Sequence, residues 1–491
     1  MLTIQSRIAL CQNLVGGAAT EASGRELDVV SPYTGTPIGR VRLSTEADVD
    51  RAVRAAHAAW PDWRRTPLRE RVEPLLALRG LILAQVEELA DVVAAESGKT
   101  PAEAKAGVLR GIEVIDFAAS LVSSDPGGAL DVSRGVSCEY RRDPLGVVVG
   151  ITPFNFPAMV PMWMFPIALT VGNAFVLKPS EKVPMAASYL GELATRAGYP
   201  PGIFSVVHGD KLAVEALCQH PLTQAVGFVG SSDVAQRVYG SAATAGKRAL
   251  CLGGAKNQLI VAPDADPALA VRSIVDSFTG CAGQRCMAGS LLIAVGDADR
   301  LIAQVRDAAA SIALGTSMGA LIDSAAKQRL EDAIGRAERE GAQVLLDGRS
   351  PKVPAEYSGG NWLGPTILDR VTPSMHCAQS ELFGPVLSVI RVPTLDAALG
   401  IEQDNPYGNA TSIFTSSGAA ARLLSERATS GMIGVNIGVP VPREPFSFGG
   451  TKRSKFGHGD ITGPSAVDFW TDLKKITTKW AAQSDATWMS G

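Results

Sequence analysis

The sequence has few residues of the kinds that build metal sites, disulfide scaffolds or nucleic-acid interfaces. It contains five histidines, and its seven cysteines are scattered without a C-x-x-C pair. This pattern argues against a structural zinc site and a disulfide framework, and it fits a reducing compartment such as the cytoplasm. The 46 lysines and arginines are balanced by 49 aspartates and glutamates, a formal net charge of −3. No basic field is therefore present to bind nucleic acid or an anionic membrane.

Long uninterrupted apolar runs are also lacking. The run 154–172 approaches the length of a membrane span, but Pro157, Pro161 and Pro166 interrupt it, and we predict a buried core segment instead. The first residues show no convincing signal-peptide pattern, because their apolar run is short and broken by polar residues. The composition, 46% hydrophobic and 19% charged, predicts a globular chain with a large core.

The stretch 279–289, TGCAGQRCMAG, combines two cysteines with three glycines. Glycine and alanine remove side-chain bulk, so a ligand or another backbone segment can approach closely. Cys286 stands directly before the apolar run 290–295. The permanent charge of Arg285 beside it favours a thiolate, which is a good nucleophile. Two interpretations remain open from this stretch alone, a nucleophilic cysteine and a glycine-rich connector with inert cysteines.

Capping signals predict a series of helices in the first quarter of the chain. Thr45-x-x-Asp48 opens an alanine-rich helix, and Thr66-Pro67 opens a long helix that runs to about Glu96. Thr100-Pro101-Ala102-Glu103 combines an N-cap, a proline at the first helical position and a glutamate at the third. A further helix is therefore expected from this point to about residue 122.

An arginine interrupts the apolar face of that last helix. Residues 110, 114, 117 and 121 share one face at helical spacing, and they read Arg, Val, Phe and Leu. A buried arginine needs an anionic partner, since desolvation of an unpaired charge is costly. One interpretation is a local pair with Glu113 or a side chain that reaches the surface. The other is that Arg110 binds an anionic ligand.

From residue 145 onward, short apolar strands alternate with helices. This alternation predicts doubly wound parallel sheets, whose ligands bind beyond the carboxyl ends of the strands. Asn155 follows one predicted strand, and Lys178 and Glu181 follow the next. Gly230 and Ser231 end a strand and start a helix, a usable pyrophosphate site, although no G-x-G-x-x-G is present. Each signal is weak alone, because a turn residue, a solvated ion pair or a plain strand end would look the same.

Taken in order along the chain, these strings resemble the NAD-dependent aldehyde dehydrogenase superfamily. They are PFNFP at 153–157, KPSE at 178–181, FVGSS at 228–232, LGG at 252–254, GQRC at 283–286 and ELFGPV at 381–386. More narrowly, the chain looks like the CoA-acylating methylmalonate-semialdehyde dehydrogenases, on the strings YRRDPLGVVVGITPFNFPAMVPMWMFP, GQRCMA and LGGAKN.

The resemblance implies an α/β fold with two doubly wound domains and a small β oligomerisation element. It implies an NAD-binding domain from 1–123 and 144–252, a catalytic domain at 253–443, and oligomerisation strands at 124–143 and 464–482. It also implies assembly as a dimer or tetramer through those strands. It implies no resident metal.

The resemblance further implies roles for individual residues. Cys286 would be the nucleophile, and Asn155 with the backbone N–H of Cys286 would stabilise the oxyanion. Arg110 and Arg285 would bind the substrate carboxylate. The residues implied to hold NAD are Thr152, Phe154, Lys178, Glu181, Gly230, Ser231, Glu381 and Phe383. Among them, Glu181 would favour NAD over NADP, because a carboxylate repels a 2′-phosphate.

One residue departs from the pattern of the family. Hydrolytic members carry a glutamate general base directly before Leu-Gly-Gly, where this chain has Cys251. The expected reaction is oxidation of malonate or methylmalonate semialdehyde with NAD, with CoA as the acyl acceptor and loss of CO2. The alternatives are release of a free acid from another small anionic aldehyde, such as a sulfonated or succinic one, and a non-catalytic scaffold with the same fold. A cysteine hydrolase is a weaker alternative, since no histidine lies in a recognisable partner motif.

Overall fold

The computed structural model describes residues 10–124 and 127–480. In these residues the strands are, in chain order, β1 (Leu10–Cys11), β2 (Asn13–Val15), β3 (Ala18–Thr20), β4 (Glu26–Val30), β5 (Pro37–Arg42), β6 (Gly128–Ser133), β7 (Val136–Pro144), β8 (Val147–Ile151), β9 (Ala174–Lys178), β10 (Phe204–Val206), β11 (Thr223–Val229), β12 (Arg248–Leu252), β13 (Asn257–Val261), β14 (Gly289–Val295), β15 (Gln343–Leu346), β16 (Thr366–Asp369), β17 (Val386–Val392), β18 (Tyr407–Gly408), β19 (Ala410–Phe414), β20 (Met432–Val435), β21 (Thr451–Lys452), β22 (Lys455–Phe456) and β23 (Thr471–Lys479).

The helices alternate with these strands through most of the chain. In the described residues they are α1 (Glu46–Arg65), α2 (Leu68–Ala84), α3 (Val86–Ser97), α4 (Pro101–Ser124), α5 (Met159–Thr170), α6 (Met185–Arg196), α7 (Lys211–Gln219), α8 (Ser232–Thr244), α9 (Pro267–Thr279), α10 (Asp299–Ala310), α11 (Ser324–Arg339), α12 (His376–Gln379), α13 (Leu395–Asp404), α14 (Gly418–Arg427) and α15 (Gly463–Phe469), with short 3-10 turns at Gly280–Gly283 and Ala355–Tyr357.

Local signals account for the first helices. The capping box of Thr45 and Asp48 starts α1, and Thr100 with Glu103 does the same for α4, where the Glu103 carboxylate accepts the N–H and the hydroxyl of Thr100. The single long helix expected up to Glu96 is instead two helices, α2 and α3. The chain turns between them at Gln85, whose φ of −119° and ψ of 25° leave the helical region.

Two large sheets form the body of the protein. The first has the strand order β22-β12-β11-β8-β9-β10-β2-β3, and its strands from β8 to β12 run parallel to one another. The second has the order β15-β16-β17-β14-β13-β19-β20 and is parallel except for β15. The predicted α/β class with two doubly wound sheets is confirmed. In the first sheet, Thr152, Lys178 and Gly230 lie at the carboxyl ends of β8, β9 and β11. In the second sheet, Cys286 and Glu381 lie in the segments that precede β14 and β17.

A small antiparallel sheet, β23-β7-β6, projects from the body. The hairpin expected at 124–143 forms β6 and β7, although residues 125 and 126 lie outside the described residues. The C-terminal strand expected at 464–482 begins only at Thr471, because α15 occupies the preceding segment. It pairs with β7 of the same chain and forms one edge of the small sheet. Residues 481–482 of the expected 464–482 strand lie outside the described part.

The proline-interrupted run 154–172 contains a core helix, as predicted. Every residue of α5 is buried, and Trp163 and Phe165 pack among the apolar residues of the first sheet. Within residues 10–124 and 127–480, no helix has the length and apolar character needed to cross a membrane.

Candidate active site

Cys286 follows a left-handed turn at the end of α9. Cys281, Ala282 and Gly283 have φ values of 55°, 52° and 66°. For residues with a Cβ atom this conformation costs about 1–2 kcal/mol each. Contacts from other parts of the chain must therefore hold the turn in place.

Glu103 provides the first of these contacts. Its Oε1 accepts the backbone N–H of Cys281 at 2.5 Å, while its Oε2 accepts the N–H and hydroxyl of Thr100. Gly283 provides the second, since a Cβ atom there would lie 2.1 Å from the carbonyl oxygen of Gly384. The turn therefore requires both an acceptor from α4 and a glycine against the segment before β17.

Three amide side chains hold the segment from the turn to the cysteine. Asn155 donates through Nδ2 to the carbonyl of Gln284 at 3.0 Å. Asn257 and Asn409 each donate through Nδ2 to the carbonyl of Cys286, at 2.7 and 2.9 Å. The structure thus brings Asn155 to the cysteine loop, although 129 residues separate it from Gln284. One N–H of its Nδ2 is engaged there, and the group carries two.

The thiol of Cys286 is half-buried in a mixed electrostatic environment. Burial and then the negative charge of Glu381 raise the pKa of Cys286 to about 12, while the charges of Arg285 and Lys99 act in the opposite direction. The thiol is therefore neutral at pH 7 in the protein without ligands. The ammonium group of Lys99 lies 3.9 Å from the centre of the Phe156 ring, next to Asn155 in the chain.

Several residues predicted to bind a cofactor lie at the carboxyl ends of β8 and β9. The N–H of Thr152 donates to the carbonyl of Lys178 at 3.0 Å. The Nζ of Lys178 lies 3.4 Å from the carboxylate of Glu181, and burial lowers the pKa of Lys178 although Glu181 opposes the shift. The hydroxyl of Thr152 is buried and has no hydrogen-bond partner among the described residues.

The predicted pyrophosphate site lies at the start of α8. Gly230 ends β11, with its N–H donating to the carbonyl of Leu252 at 3.1 Å. Ser231 is the N-cap residue of α8 but makes no capping hydrogen bond through its side chain. The next hydroxyl, that of Ser232, accepts the N–H of Gly254 and donates to the carbonyl of Arg453. The helix start is thus fixed to the Leu-Gly-Gly segment, and the Ser231 side chain makes no bond to its own helix.

Glu381 and Phe383 lie in the segment that precedes β17. Glu381 accepts the N–H of Ala255 at 2.9 Å, and a Cβ atom on Gly254 would lie 2.1 Å from its carboxylate. Burial raises the pKa of Glu381 to about 7, against the effects of that hydrogen bond and of two nearby cations. Phe383 packs edge-on against Phe154 with 5.8 Å between ring centres. Glu381, Phe383 and Phe154 thus form a second group beside the glycine segment.

The guanidinium of Arg110 is already occupied. It lies 2.5 Å from the carboxylate of Glu113 and 2.7 Å from that of Glu444, and it donates to the carbonyl of Pro442 at 2.7 Å. The local pair with Glu113 is therefore present, as one of the two interpretations of the helix predicted. The partner at Glu444 was missed, because it lies 334 residues away.

Arg285 is also bound internally. Its Nη2 donates to the carbonyls of Asp276 and Ser277 at 2.5 and 3.0 Å, and its Nε is buried without a partner in the described part of the chain. The carbonyls belong to the last turn of α9, where a cation is favourable. The guanidinium groups of both Arg110 and Arg285 thus have internal partners in this structure.

Cys251 lies in the core rather than at a polar surface. It is fully buried on β12, and its backbone pairs with Phe456 of β22. Burial and then the neighbouring Cys218 raise its pKa well above the ordinary range of a thiol. A neutral thiol in apolar surroundings cannot activate water as a general base.

Sequence reasoning missed three side chains that bind the cysteine loop, Glu103, Asn257 and Asn409. It also missed Glu444, which contacts Arg110. Glu103 was noted only as part of a helix cap, and Asn257 only as a letter of the LGGAKN string. The sequence gives no local signal for Asn409 or Glu444. No cluster of three or more potential metal ligands is present in residues 10–124 and 127–480.

Comparison with known proteins agrees with this geometry. Residues 19–476 match the family model described as the aldehyde dehydrogenase family. Malonate-semialdehyde dehydrogenase 2 of Geobacillus kaustophilus is 43% identical over 478 residues, which cover 96% of this chain and 98% of the relative. The mitochondrial methylmalonate-semialdehyde/malonate-semialdehyde dehydrogenase [acylating] of Mus musculus is 41% identical over 472 residues, covering 95% of this chain and 88% of the relative.

Solved structures give the same result. Methylmalonate-semialdehyde dehydrogenase from Oceanimonas doudoroffii superposes with a TM-score of 0.95 at 40% identity, covering 97% of this chain and 99% of that one. A protein of Sinorhizobium meliloti 1021, crystallised in complex with NAD, superposes with a TM-score of 0.96 at 40% identity, covering 98% of this chain and 100% of that one. The full-length match of family, sequence and fold means that this chain belongs to the aldehyde dehydrogenase family.

Proposed function

We propose that this chain oxidises malonate or methylmalonate semialdehyde with NAD and transfers the resulting acyl group to CoA. The observation that carries the proposal is the cysteine loop, in which Asn155 contacts the segment that presents Cys286. The names of the relatives, which are 41–43% identical to this chain, support the substrate class. The product carries a carboxylate beta to the acyl carbonyl, so CO2 can leave and acetyl-CoA or propionyl-CoA results.

In the proposed mechanism, Cys286 adds to the aldehyde carbon and forms a thiohemiacetal. The second N–H of Asn155 Nδ2 and the backbone N–H of Cys286 stabilise the oxyanion. Loss of hydride from this carbon leaves a thioester on Cys286. Because burial and Glu381 raise the pKa of the Cys286 thiol to about 12, the thiol enters this step protonated, and its proton passes to solvent as the carbon–sulfur bond forms.

The residues present fit NAD, which supplies the hydride acceptor when it is bound. The unpartnered hydroxyl of Thr152 and the uncapped Ser231 at the start of α8 are available for polar contacts with the cofactor. Lys178 and Glu181 would hold the adenine-side ribose, and Gly230 allows the pyrophosphate to approach the helix. Glu381 would accept the hydroxyls of the nicotinamide-side ribose. Phe154 and Phe383 would pack beside the nicotinamide.

The sheet architecture supports the proposed division of labour between domains. Within the described residues, the strands of the first sheet from β2 to β12 lie between residues 13 and 252, and those of the second from β13 to β20 lie between 257 and 435. We assign NAD binding to 1–123 and 144–252 and the nucleophile to 253–443. The small sheet at 124–143 and 464–482 is assigned to assembly.

The proposed deacylating agent is the thiol of CoA. A water molecule needs a general base, and Cys251 is buried and holds its proton too firmly to serve. An external thiol is a stronger nucleophile than water and needs less activation. The burial of Cys251 therefore supports CoA over hydrolysis to a free acid.

We propose that Arg110 and Arg285 supply positive charge for the substrate carboxylate. The charge of Arg285 already acts on the thiol of Cys286. Arg110 lies about two turns along α4 from Glu103, on the same face of the helix, and so about 10 Å from the contact that holds the cysteine loop. Its present partners mean that it would have to exchange one of them for the substrate.

We propose assembly as a dimer or tetramer through the small sheet, where Leu130, Val132, Tyr140 and Leu473 are exposed. All seven cysteines are free, which supports a reducing compartment such as the cytoplasm. These two proposals concern the oligomeric state and the compartment of the enzyme, and the proposed reaction does not depend on them.

The test of the reaction is NADH formation from malonate semialdehyde with and without CoA, with the products identified by mass. We expect turnover to depend on CoA and to give acetyl-CoA. Full turnover without CoA and a free acid as the product would replace the proposal with the hydrolytic alternative. Cys286→Ala, as the inactive control, should form no NADH under either condition.

A further inference from the structure

The contact between Arg110 and Glu444 joins two elements that are distant in the sequence. Glu444 lies in the segment before α15, and its Oε2 is 2.7 Å from Nη1 of Arg110. The same guanidinium donates to the carbonyl of Pro442. The 442–444 segment therefore crosses α4 at the level of Arg110 and is held there by these contacts.

This pair is well shielded from water. The side chain of Arg110 is 15% exposed and that of Glu444 is 7% exposed. The second carboxylate oxygen of Glu444 is buried and has no hydrogen-bond partner among the described residues. A buried carboxylate with one unsatisfied oxygen is costly to keep. The ion pair with Arg110 therefore accounts for the buried position of the Glu444 carboxylate, because its hydrogen bonds are incomplete.

The balance of charge around Arg110 does not favour an anionic ligand. Glu113 and Glu444 both contact the guanidinium, so two negative charges face one positive charge. Glu113 is also 3.4 Å from Arg443, whose side chain is 76% exposed. Glu113 therefore has a second, exposed cationic partner in Arg443, whereas Arg110 is the one cation that pairs with Glu444 in the described part of the chain.

The position of Arg110 on α4 relates this pair to the nucleophile. Glu103, Gly107 and Arg110 recur at helical spacing on one face. Glu103 binds the N–H of Cys281, and a Cβ atom on Gly107 would lie 3.6 Å from the ring of Phe156, the neighbour of Asn155. The face of α4 that carries Arg110 therefore also carries Glu103, the residue that binds the cysteine loop.

We propose that Glu444 is a specificity-determining residue that occupies Arg110 as an internal carboxylate. This inference rests on the proposed function, because a substrate carboxylate must displace Glu444 before Arg110 can bind it. Glu444 therefore weakens the selection of anionic over uncharged aldehydes, and Arg110 is the group through which it acts. Among the described residues, the ion-pair partner of the Glu444 side chain is Arg110.

The first arm of the test compares malonate semialdehyde with propanal. In Glu444→Gln we expect the ratio of kcat/KM for the anionic aldehyde to that for propanal to rise about tenfold, mainly through KM. Asp116→Asn is the matched control, since Asp116 lines the same cavity as Glu444 but pairs with Arg79. It should change the ratio less than about twofold.

The second arm tests whether the effect passes through Arg110. In a double-mutant cycle, Glu444→Gln should lose its effect on the ratio in an Arg110→Gln background. A general electrostatic or structural role of Glu444 would leave the effect intact in that background. If Glu444→Gln does not fold, Glu444→Asp retains the charge but shortens the side chain away from Arg110, and a rise of about threefold is expected.

The third arm uses malonate as a dead-end inhibitor of propanal oxidation. Its inhibition constant should fall about tenfold in Glu444→Gln and remain unchanged in Asp116→Asn. The inhibition constant of malonate tests the role of Glu444 even if the enzyme does not oxidise malonate semialdehyde. Failure to oxidise that aldehyde would refute the proposed substrate and not the role of Glu444. An unchanged inhibition constant together with an unchanged selectivity ratio would overturn the role assigned to Glu444.

Discussion

The carboxylate of Glu103 accepts the backbone N–H of Cys281 at 2.5 Å, so that one side chain both caps α4 and holds the turn that precedes the nucleophile. The turn has left-handed φ angles at Cys281 and Ala282, which the local sequence alone would not adopt. Glu103 therefore links the stability of a helix start to the position of Cys286.

We predict that Glu103→Ala lowers kcat/KM by about tenfold or more, because small displacements of a reacting group have large effects on rate. The rate at which iodoacetamide alkylates Cys286 should also differ between this variant and the wild type. Glu103→Gln keeps an acceptor oxygen and should recover part of the activity. Steady-state kinetics and peptide mass mapping measure these effects.

Asp48→Ala is the matched control, since Asp48 forms the equivalent capping box on α1, far from the cysteine loop in the sequence. Both variants should lose about 1 kcal/mol of unfolding free energy through the lost cap. Only the Glu103 variant should change the reactivity of Cys286. If Glu103→Ala and Asp48→Ala lower the Tm equally and have the same activity, the positioning role of Glu103 is refuted.

The affinity for NAD should depend on pH through Glu381. Burial raises the pKa of Glu381 to about 7, and the ionised carboxylate is the better acceptor for ribose hydroxyls. The KM for NAD should therefore rise about fivefold as the pH falls from 8 to 6. In Glu381→Gln the KM should be higher and nearly independent of pH over this range. A wild-type KM that stays constant from pH 6 to 8 would contradict the prediction.

The reactivity of Cys286 without ligands should rise with pH beyond the range of an ordinary cysteine. Its pKa is raised to about 12 by burial and by Glu381, so alkylation should keep accelerating through pH 9 and 10. Removing the nearby charge in Glu381→Gln should lower this pKa and speed alkylation at pH 8. Rates are corrected with Cys286→Ala for the other cysteines. A plateau near pH 8 in the wild type would show that the thiol is not shielded.

Cys251 should prove dispensable for acyl transfer. Its side chain is fully buried, so Cys251→Ala should cost about 1 kcal/mol of unfolding free energy through the lost packing. CoA-dependent turnover should stay within about twofold of the wild type. Cys251→Glu would place a carboxylate in the core, and we expect a loss of several kcal/mol in stability rather than a gain of hydrolysis. Substantial CoA-independent turnover in that variant would contradict this expectation.

The small sheet should carry the assembly of the protein. Leu130 on β6 is 69% exposed, and Leu212 on α7, at a distance from this sheet in the chain, is 65% exposed. Leu130→Glu should shift the mass measured by light scattering toward smaller assemblies, because it places a charge in an apolar contact. Leu212→Glu, with a matched exposure and the same change, should not. An unchanged mass in Leu130→Glu would exclude this part of the sheet from the interface.

The sequence predicted the parts of the site that are encoded in contiguous strings. Asn155 and Cys286 could be placed together because the resemblance supplied their roles, although they lie next to strands of different sheets. The strand ends at Lys178 and Gly230 were found for the same reason. These features depend on alternation, turns and helix starts, which are local.

Other features could not be read from local patterns. Glu103 had a sufficient local explanation as a cap, so nothing indicated its contact 178 residues away. Arg110 had a plausible partner in Glu113, and the second partner at Glu444 follows only from the tertiary fold. The break at Gln85 carries neither glycine nor proline in the turn itself. Tertiary packing decides these points, and it leaves little trace in a single sequence.

One face of α4 carries both Glu103, which binds the cysteine loop, and Arg110, the proposed partner of the substrate carboxylate. Glu103 fixes the cysteine loop at one end, and Arg110 stands about two helical turns, or about 10 Å, further along. One residue inserted between them would rotate Arg110 by about 100° off this face while leaving Glu103 in place. Under the role proposed for Arg110, the register of this one helix would set the length of the acidic aldehyde that the enzyme accepts.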